Sequence, residues 1–186
     1  MNKQGKIKTF SFISLDGYCT KMGGGIDWLL GFPRPKSGNY GFEEFTNTVD
    51  CAVINGIYYA TLQAYDLWLP EKKKSYIIVP NKSTITPGTK PNFIMLHPEK
   101  GFGYVEAVNS IREQTDGDIW LVGDHELYSA LMQHGLIDEI ILNVVPVTLG
   151  NGCSLFSRIH TEQSWTLKNC NRYDNGVVQM RYVQQR

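Results

Sequence analysis

The sequence lacks any apolar run approaching the roughly 18 residues that span a bilayer, so nothing in it reads as membrane-spanning. It lacks an excess of charge of either sign, with 18 basic side chains against 18 acidic ones. Proteins that bind nucleic acid or a membrane surface concentrate basic residues. The only basic run here, Lys72-Lys73-Lys74, reads as a solvated loop, so neither partner is expected. Cysteine is scarce. The four cysteines, Cys19, Cys51, Cys153 and Cys170, include no C-x-x-C pair, which argues against a zinc site or a disulfide framework and leaves reduced, cytoplasmic thiols as the expectation. The four histidines, His97, His125, His134 and His160, are too scattered for a metal site. Two phosphate-binding patterns are also missing. Gly23-Gly24-Gly25 lies inside a loop instead of forming G-x-G-x-x-G between strand and helix, and no G-x-x-x-x-G-K-[ST] occurs.

What is present fits one globular domain. The chain has 186 residues, of which 42% are apolar and 19% charged, and a single core grows comfortably to that length. We read residues 1–186 as one domain with its core at about 7–183. The start, MNKQGKIKTFSFISLDG, sets Ile7, Thr9 and Ser11 against Lys8, Phe10 and Phe12, which is a strand pattern and not a signal peptide. Further strands are expected at 50–56, 75–80, 92–96, 119–123 and 139–147, the first of these runs apolar enough to be buried on both faces. Helices are expected at 41–48, 57–65, 104–114 and 126–133. In the third, Val105, Val108 and Ile111 share one stripe, and in the fourth His134 and Gly135 form a C-terminal cap. Runs 165–173 and 177–183, joined through Asn175-Gly176, read as a C-terminal hairpin. Residues 19–40, rich in Gly and Pro, read as one long irregular loop. Strands alternating with helices, closed by a hairpin, predict a three-layer α/β domain with a mixed, mostly parallel sheet and an antiparallel edge.

In such a sheet ligands collect at the carboxyl ends of the strands. Three of these ends carry notable residues: Ser14-Leu15-Asp16-Gly17, Asn55-Gly56, and Val122-Gly123-Asp124-His125-Glu126-Leu127. Together with IDWL and IWLVGDHELYSALMQHGLIDEIILNVVPVTLGNGCSLF, these segments resemble the dihydrofolate-reductase-like family that includes the reductase domain of the riboflavin-biosynthesis deaminase-reductase. The resemblance runs from about residue 7 to about 183. It implies a doubly wound sheet of the dihydrofolate reductase type, and a nicotinamide cofactor, usually NADPH with NADH as the other option. It also implies hydride transfer to a small pyrimidine- or pterin-like heterocycle. The zinc deaminase signature H-x-E with P-C-x-x-C is missing, so the implication is a stand-alone reductase domain without a deaminase.

Carried over by position, the resemblance makes Asp16 the catalytic carboxylate, with Ser14 and Leu15 at substrate and Gly17 at the nicotinamide. Read without it, S-L-D-G is a turn in which Asp and Gly serve local geometry. Asn55 and Gly56 fall at a cofactor-binding strand end. An arginine and a threonine usually follow there to hold phosphates, and this chain has Ile57 and Tyr59 instead. Lys82 is the base expected near the adenosine phosphate. Val122, Gly123, Asp124, His125, Glu126 and Leu127 fall on the pyrophosphate turn, where the family usually has two or three glycines and only Gly123 remains. Asp124 suits a helix N-cap, whose carboxylate takes the amides an anion would use. That predicts weakened dinucleotide binding. Trp28, Tyr40 and Phe45 are candidates to wall a planar substrate, the alternative being core packing. Glu44 is a further carboxylate candidate, and Lys21, Arg34 and Lys36 are the basic residues available to a phosphate. The leading expectation is a reductase, and the alternative is a diverged, non-catalytic binding protein of the same fold. A homodimer is expected from the resemblance and from the apolar C-terminal strands.

Overall fold

All five residues of the run Cys51–Asn55 are buried, so a strand there must carry other elements on both of its faces. The computed structural model describes residues 4–67, 70–79, 93–96 and 103–186. The elements, in chain order, are β1 (Ile7–Ser14), β2 (Tyr18–Thr20), α1 (Asp27–Leu30), α2 (Phe42–Asn47), β3 (Cys51–Asn55), α3 (Gly56–Ala64), β4 (Lys74–Ile78) and β5 (Phe93–Leu96). They continue with α4 (Tyr104–Glu113), β6 (Ile119–Val122), α5 (His125–Gln133), β7 (Glu139–Val145), β8 (Cys153–Ser154), β9 (Trp165–Arg172) and β10 (Val178–Gln184).

Eight strands form one sheet in the order β5-β4-β3-β6-β1-β7-β10-β9. The strands from β5 to β7 run parallel, and β10 is antiparallel to both of its neighbours. Side chains alternate across the sheet as period two requires. Cys51, Val53, Ile119 and Leu121 join α4 and α5 in one core. Ala52, Ile54, Trp120 and Val122 join Phe45 of α2 and Tyr59 of α3 in the other. The result is the expected three-layer α/β sandwich with a mixed sheet.

The closing hairpin forms as expected. Tyr173 N–H donates to Val177 O at 2.9 Å and Gly176 N–H to Tyr173 O at 3.1 Å, with Gly176 at φ +89°, a conformation that glycine adopts without strain. β7 stops at Val145, two residues short of the expected end, because Pro146 has no amide to donate and Val147 N–H turns back to Val145 O at 2.8 Å. The stretch 19–40 is not wholly irregular. It opens in β2 and contains α1, and β2 pairs with β8 as a separate two-stranded sheet. Such short strands leave no periodicity to read.

One register difference positions everything that follows. β1 pairs with β6 only from Ile7 to Thr9, yet with β7 from Lys8 to Ser14. From Phe10 onward no strand among the described residues pairs with the β6 side of β1, and the sheet splits there.

Leu131 of α5 is fully buried in the core on its face of the sheet. Leu131→Ala is expected to lower the unfolding free energy by about 2–5 kcal/mol. In urea titration this appears as a lower midpoint with an unchanged slope, and an unchanged midpoint would contradict the packing described.

Candidate functional site

The three strand ends singled out in the sequence, those of β1, β3 and β6, belong to three adjacent strands, and the split in the sheet opens among them. At the end of β1, Gly17 N–H closes a turn onto Ser14 O at 3.0 Å, with Gly17 at φ +87°. The Ser14 hydroxyl accepts from Tyr18 N–H at 2.9 Å and donates to Asp16 Oδ1 at 2.6 Å. The same carboxylate accepts from the amides of Leu149, at 3.1 Å, and Gly150, at 2.8 Å. Asp16 therefore clamps the β1 turn to the segment after β7. The Ser14 hydrogen bond, followed by the two amides, draws its pKa down to about 2. A carboxylate held ionised this far is a poor proton donor, and its geometry is that of a turn and loop anchor. Leu15 is 65% exposed, and its amide donates to Val147 O at 2.8 Å.

At the end of β3, Asn55 is fully buried and caps α3, its Oδ1 accepting from Tyr58 N–H at 3.4 Å. Gly56 opens the helix. Ile57 points an exposed apolar side chain where the family usually has a cation, and Tyr59 lies in the core. At the end of β6, a Cβ on Gly123 would meet Leu127 Cδ2 at 2.8 Å and Asn55 Oδ1 at 3.4 Å, so the starts of α3 and α5 crowd together here. Asp124 caps α5 as expected, Oδ1 accepting from Glu126 N–H at 3.0 Å and Leu127 N–H at 3.4 Å. Val122 and Leu127 are core, Glu126 is exposed, and the His125 Nδ1 atom is buried without a hydrogen-bond partner. Burial raises the pKa of Tyr104 at the start of α4, and the nearby Asn55 amide draws it back. That contact falls short of a well-formed hydrogen bond, which leaves Asn55 Nδ2 and the Tyr104 hydroxyl unsatisfied.

Between the free edge of β1 and the end of β6 lies a cavity of about 60 Å³, lined in part by Ser11, Phe12, Cys19, Tyr58, Gly123 and Tyr128. Tyr128 OH lies 3.2 Å from Leu121 O, which can only accept, and 2.8 Å from Ser11 Oγ. Both contacts are satisfied when Tyr128 donates to Leu121 and Ser11 donates to Tyr128, so Ser11 keeps lone pairs free. Burial, and then the nearby Cys19 and Asp124, push the Tyr58 phenol up to about 12, keeping it a neutral donor. These polar liners were missed in the sequence. A tyrosine one turn into each helix that follows a strand end was the available signal, and it reads equally well as core.

The expected aromatic wall lies elsewhere. Trp28 packs with Val145 and Val177. Tyr40 stacks edge-on to Phe12 at 5.3 Å and Tyr173 at 4.9 Å, its hydroxyl accepting from Asn175 Nδ2 at 2.7 Å. Phe45 packs on Phe10 at 5.2 Å and Trp120 at 5.8 Å. These are core roles, and none of the three lines the cavity. Glu43 and Glu44 are both exposed on α2. Lys21 is neutralised by Asp27 at 2.6 Å. Lys82 and His97 lie outside the described residues.

The sequence matches the RibD C-terminal domain over residues 60–179. The chain belongs to this family. The uncharacterised Bacillus subtilis protein YwjB is 28% identical, the match covering 96% of this chain and 97% of the relative. Among solved structures, a Shewanella sp. PV-4 protein named for riboflavin biosynthesis superposes with a TM-score of 0.83 at 21% identity, covering 97% of this chain and 99% of its own. Dihydrofolate reductase from Enterococcus faecalis, solved with NADP(H), gives a TM-score of 0.63 at 13% identity with 100% of both chains covered. The fold of this RibD-family chain is therefore dihydrofolate reductase-like.

The clamp has a pH signature. A carboxyl pKa depressed in the folded state contributes stability above its ordinary value of 3.8, and that contribution is lost as pH falls toward about 2. The Tm advantage of the parent over Asp16→Asn is expected to be full at pH 5 and to shrink steadily toward pH 2. A pH-independent difference would show that the charge contributes nothing.

Proposed function

We propose that this RibD-family chain is an NAD(P)H-dependent reductase that delivers hydride to a small pyrimidine- or pterin-like heterocycle, as in the riboflavin-pathway and dihydrofolate reductases. The observation that carries this reading is the split between β1 and β6, a crevice at the carboxyl ends of parallel strands and beside two helix starts. The residues there fit a nicotinamide dinucleotide. Gly123 leaves room for the Leu127 and Asn55 side chains to close up against the β6 turn, and the buried His125 Nδ1 and Asn55 Nδ2 lack partners among the described residues. When bound, the cofactor supplies the hydride. The chain's own residues orient and desolvate. Phe12 and Leu29 keep the cavity wall apolar, Tyr58 offers a neutral O–H, and Ser11 offers lone pairs to a ligand N–H. Asp16 acts as a positioning residue through the loop that it holds, and its ionised state argues against a role as proton source.

One observation favours a second reading, a non-catalytic binding protein of the same fold. Asp124 already occupies two amides of the α5 start and places a negative charge where a pyrophosphate would sit. Within the reductase reading the same carboxylate weakens cofactor affinity without abolishing it. NADPH titration by tryptophan fluorescence separates the two. Saturable binding below millimolar concentration is expected, and Asp124→Gly is expected to tighten it about tenfold or more, since glycine itself caps helices tolerably. Absence of binding at millimolar NADPH would overturn the reductase reading. NADPH oxidation assays with dihydrofolate and with 5-amino-6-(5-phosphoribosylamino)uracil then identify the substrate.

The homodimer is proposed on the groove of about 320 Å³ between α5 and the C-terminal strands, lined by Ile140, Leu142, Phe156, Trp165 and Tyr182. Phe156 is 37% exposed and Leu167, on β9, 50% exposed, which is the apolar surface an interface covers. Light scattering at micromolar protein is expected to give twice the chain mass, and the chain mass alone would refute it.

A further inference from the structure

Cys19 and Cys153 are separated by 134 positions in sequence and lie against each other in space. β2 and β8 pair antiparallel, Tyr18 opposite Ser154 and Thr20 opposite Cys153, and the register shifts between those pairs. Such a bulge sets two residues of one strand against one of its partner, which brings Cys19 alongside Cys153. The Cys19 thiol donates to the Cys153 carbonyl at 3.2 Å. The strands lie close enough that a Cβ on Gly152 would collide with Thr20 O. Neighbours across an antiparallel pair fall within the Cα separation that a disulfide spans, about 4.4–6.8 Å. Both thiols are free and partly accessible, whereas Cys51 is buried and Cys170 lies alone on β9.

We propose that Cys19 and Cys153 form a redox-active dithiol, the site at which a low-molecular-weight disulfide of the glutathione type oxidises this protein. Burial, reinforced by the neighbouring Cys153, holds the Cys19 proton up to about 12, so Cys153 attacks first. Its thiolate bonds to one sulfur of the oxidant, the oxidant's S–S bond breaks, and one thiolate leaves and takes a proton from solvent. Cys19 then gives up its proton, bonds to Cys153 Sγ and expels the second thiol. Two protein thiols are oxidised and one disulfide is reduced to two thiols. Because Cys19 also lines the cavity between β1 and β6, the new bond becomes part of the crevice wall.

The test uses the full chain without cofactor, so its outcome does not depend on the reductase reading. After incubation with excess oxidised glutathione, Cys19 and Cys153 are expected to be lost to alkylation together, while the exposed Cys170 takes up at most a glutathione of its own. Before alkylation the intact mass should fall by two hydrogens, apart from any glutathione on Cys170, and a peptide pair linking residues 19 and 153 should appear and be reversed by dithiothreitol. Closing so long a loop is also expected to raise Tm by roughly 5 °C or more. Cys153→Ser should lose the link, and Cys170→Ser should keep it. Glutathione adducts without the linked pair, four thiols still titratable, or an intramolecular disulfide surviving in Cys153→Ser would each overturn the proposal.

Discussion

The candidate site exists because β6 ends at Val122 while β1 runs on to Ser14, paired by then on one side only. A half-paired strand in the middle of a sheet needs support from its remaining neighbours, and β7 and β10 supply it. Asn143, fully buried on β7, donates through Nδ2 to Ser11 O at 3.1 Å, and its Oδ1 accepts from Gln179 Nε2 at 2.8 Å. Gln179 reaches on to Tyr40 O, also at 2.8 Å. A satisfied buried network of this kind fixes the β1 backbone opposite the opening. On the far edge of the opening, Ser11, Tyr128 and Leu121 bridge β1 to α5 and β6, so the split is bounded by hydrogen bonds on both sides.

Two aspartates at equivalent places, each just past a strand end, have been put to opposite uses of the same chemistry. Asp16 reaches across the chain and takes amides from the loop after β7, joining two distant segments. Asp124 reaches forward and takes amides from its own helix. In both, a carboxylate fills a set of N–H groups that would otherwise face solvent or a ligand. At Asp16 the consequence is rigidity beside the crevice. At Asp124 it is competition with any anion that approaches the turn.

The sandwich was legible because its signals are local and repeated. The buried run of β3, the alternation in β1, the stripe on α4 and the Asn175-Gly176 turn each lie within a few residues, and each formed where expected. The cap at Asp124 was legible for the same reason. What could not be read depended on partners far along the chain. The anchoring role of Asp16 needs Leu149 and Gly150, the contact of Cys19 needs Cys153, and β2 needs β8. Tyr58 and Tyr128 look like ordinary apolar helix positions until the sheet splits beside them. Trp28, Tyr40 and Phe45 carried a signal with two meanings, and packing resolved it toward the core.

The pairing of β1 also sets a timetable. It precedes both of its sheet partners, β6 and β7, which end at Val122 and Val145. As the chain emerges, Ile7–Ser14 waits for more than a hundred residues before a strand that pairs with it is made, and long-range parallel pairing is intrinsically slow. The same arrangement that leaves one edge of β1 unpaired beyond Thr9 in the finished protein leaves both edges open in the nascent one. This makes Ile7–Ser14 the stretch most in need of shielding before the fold closes.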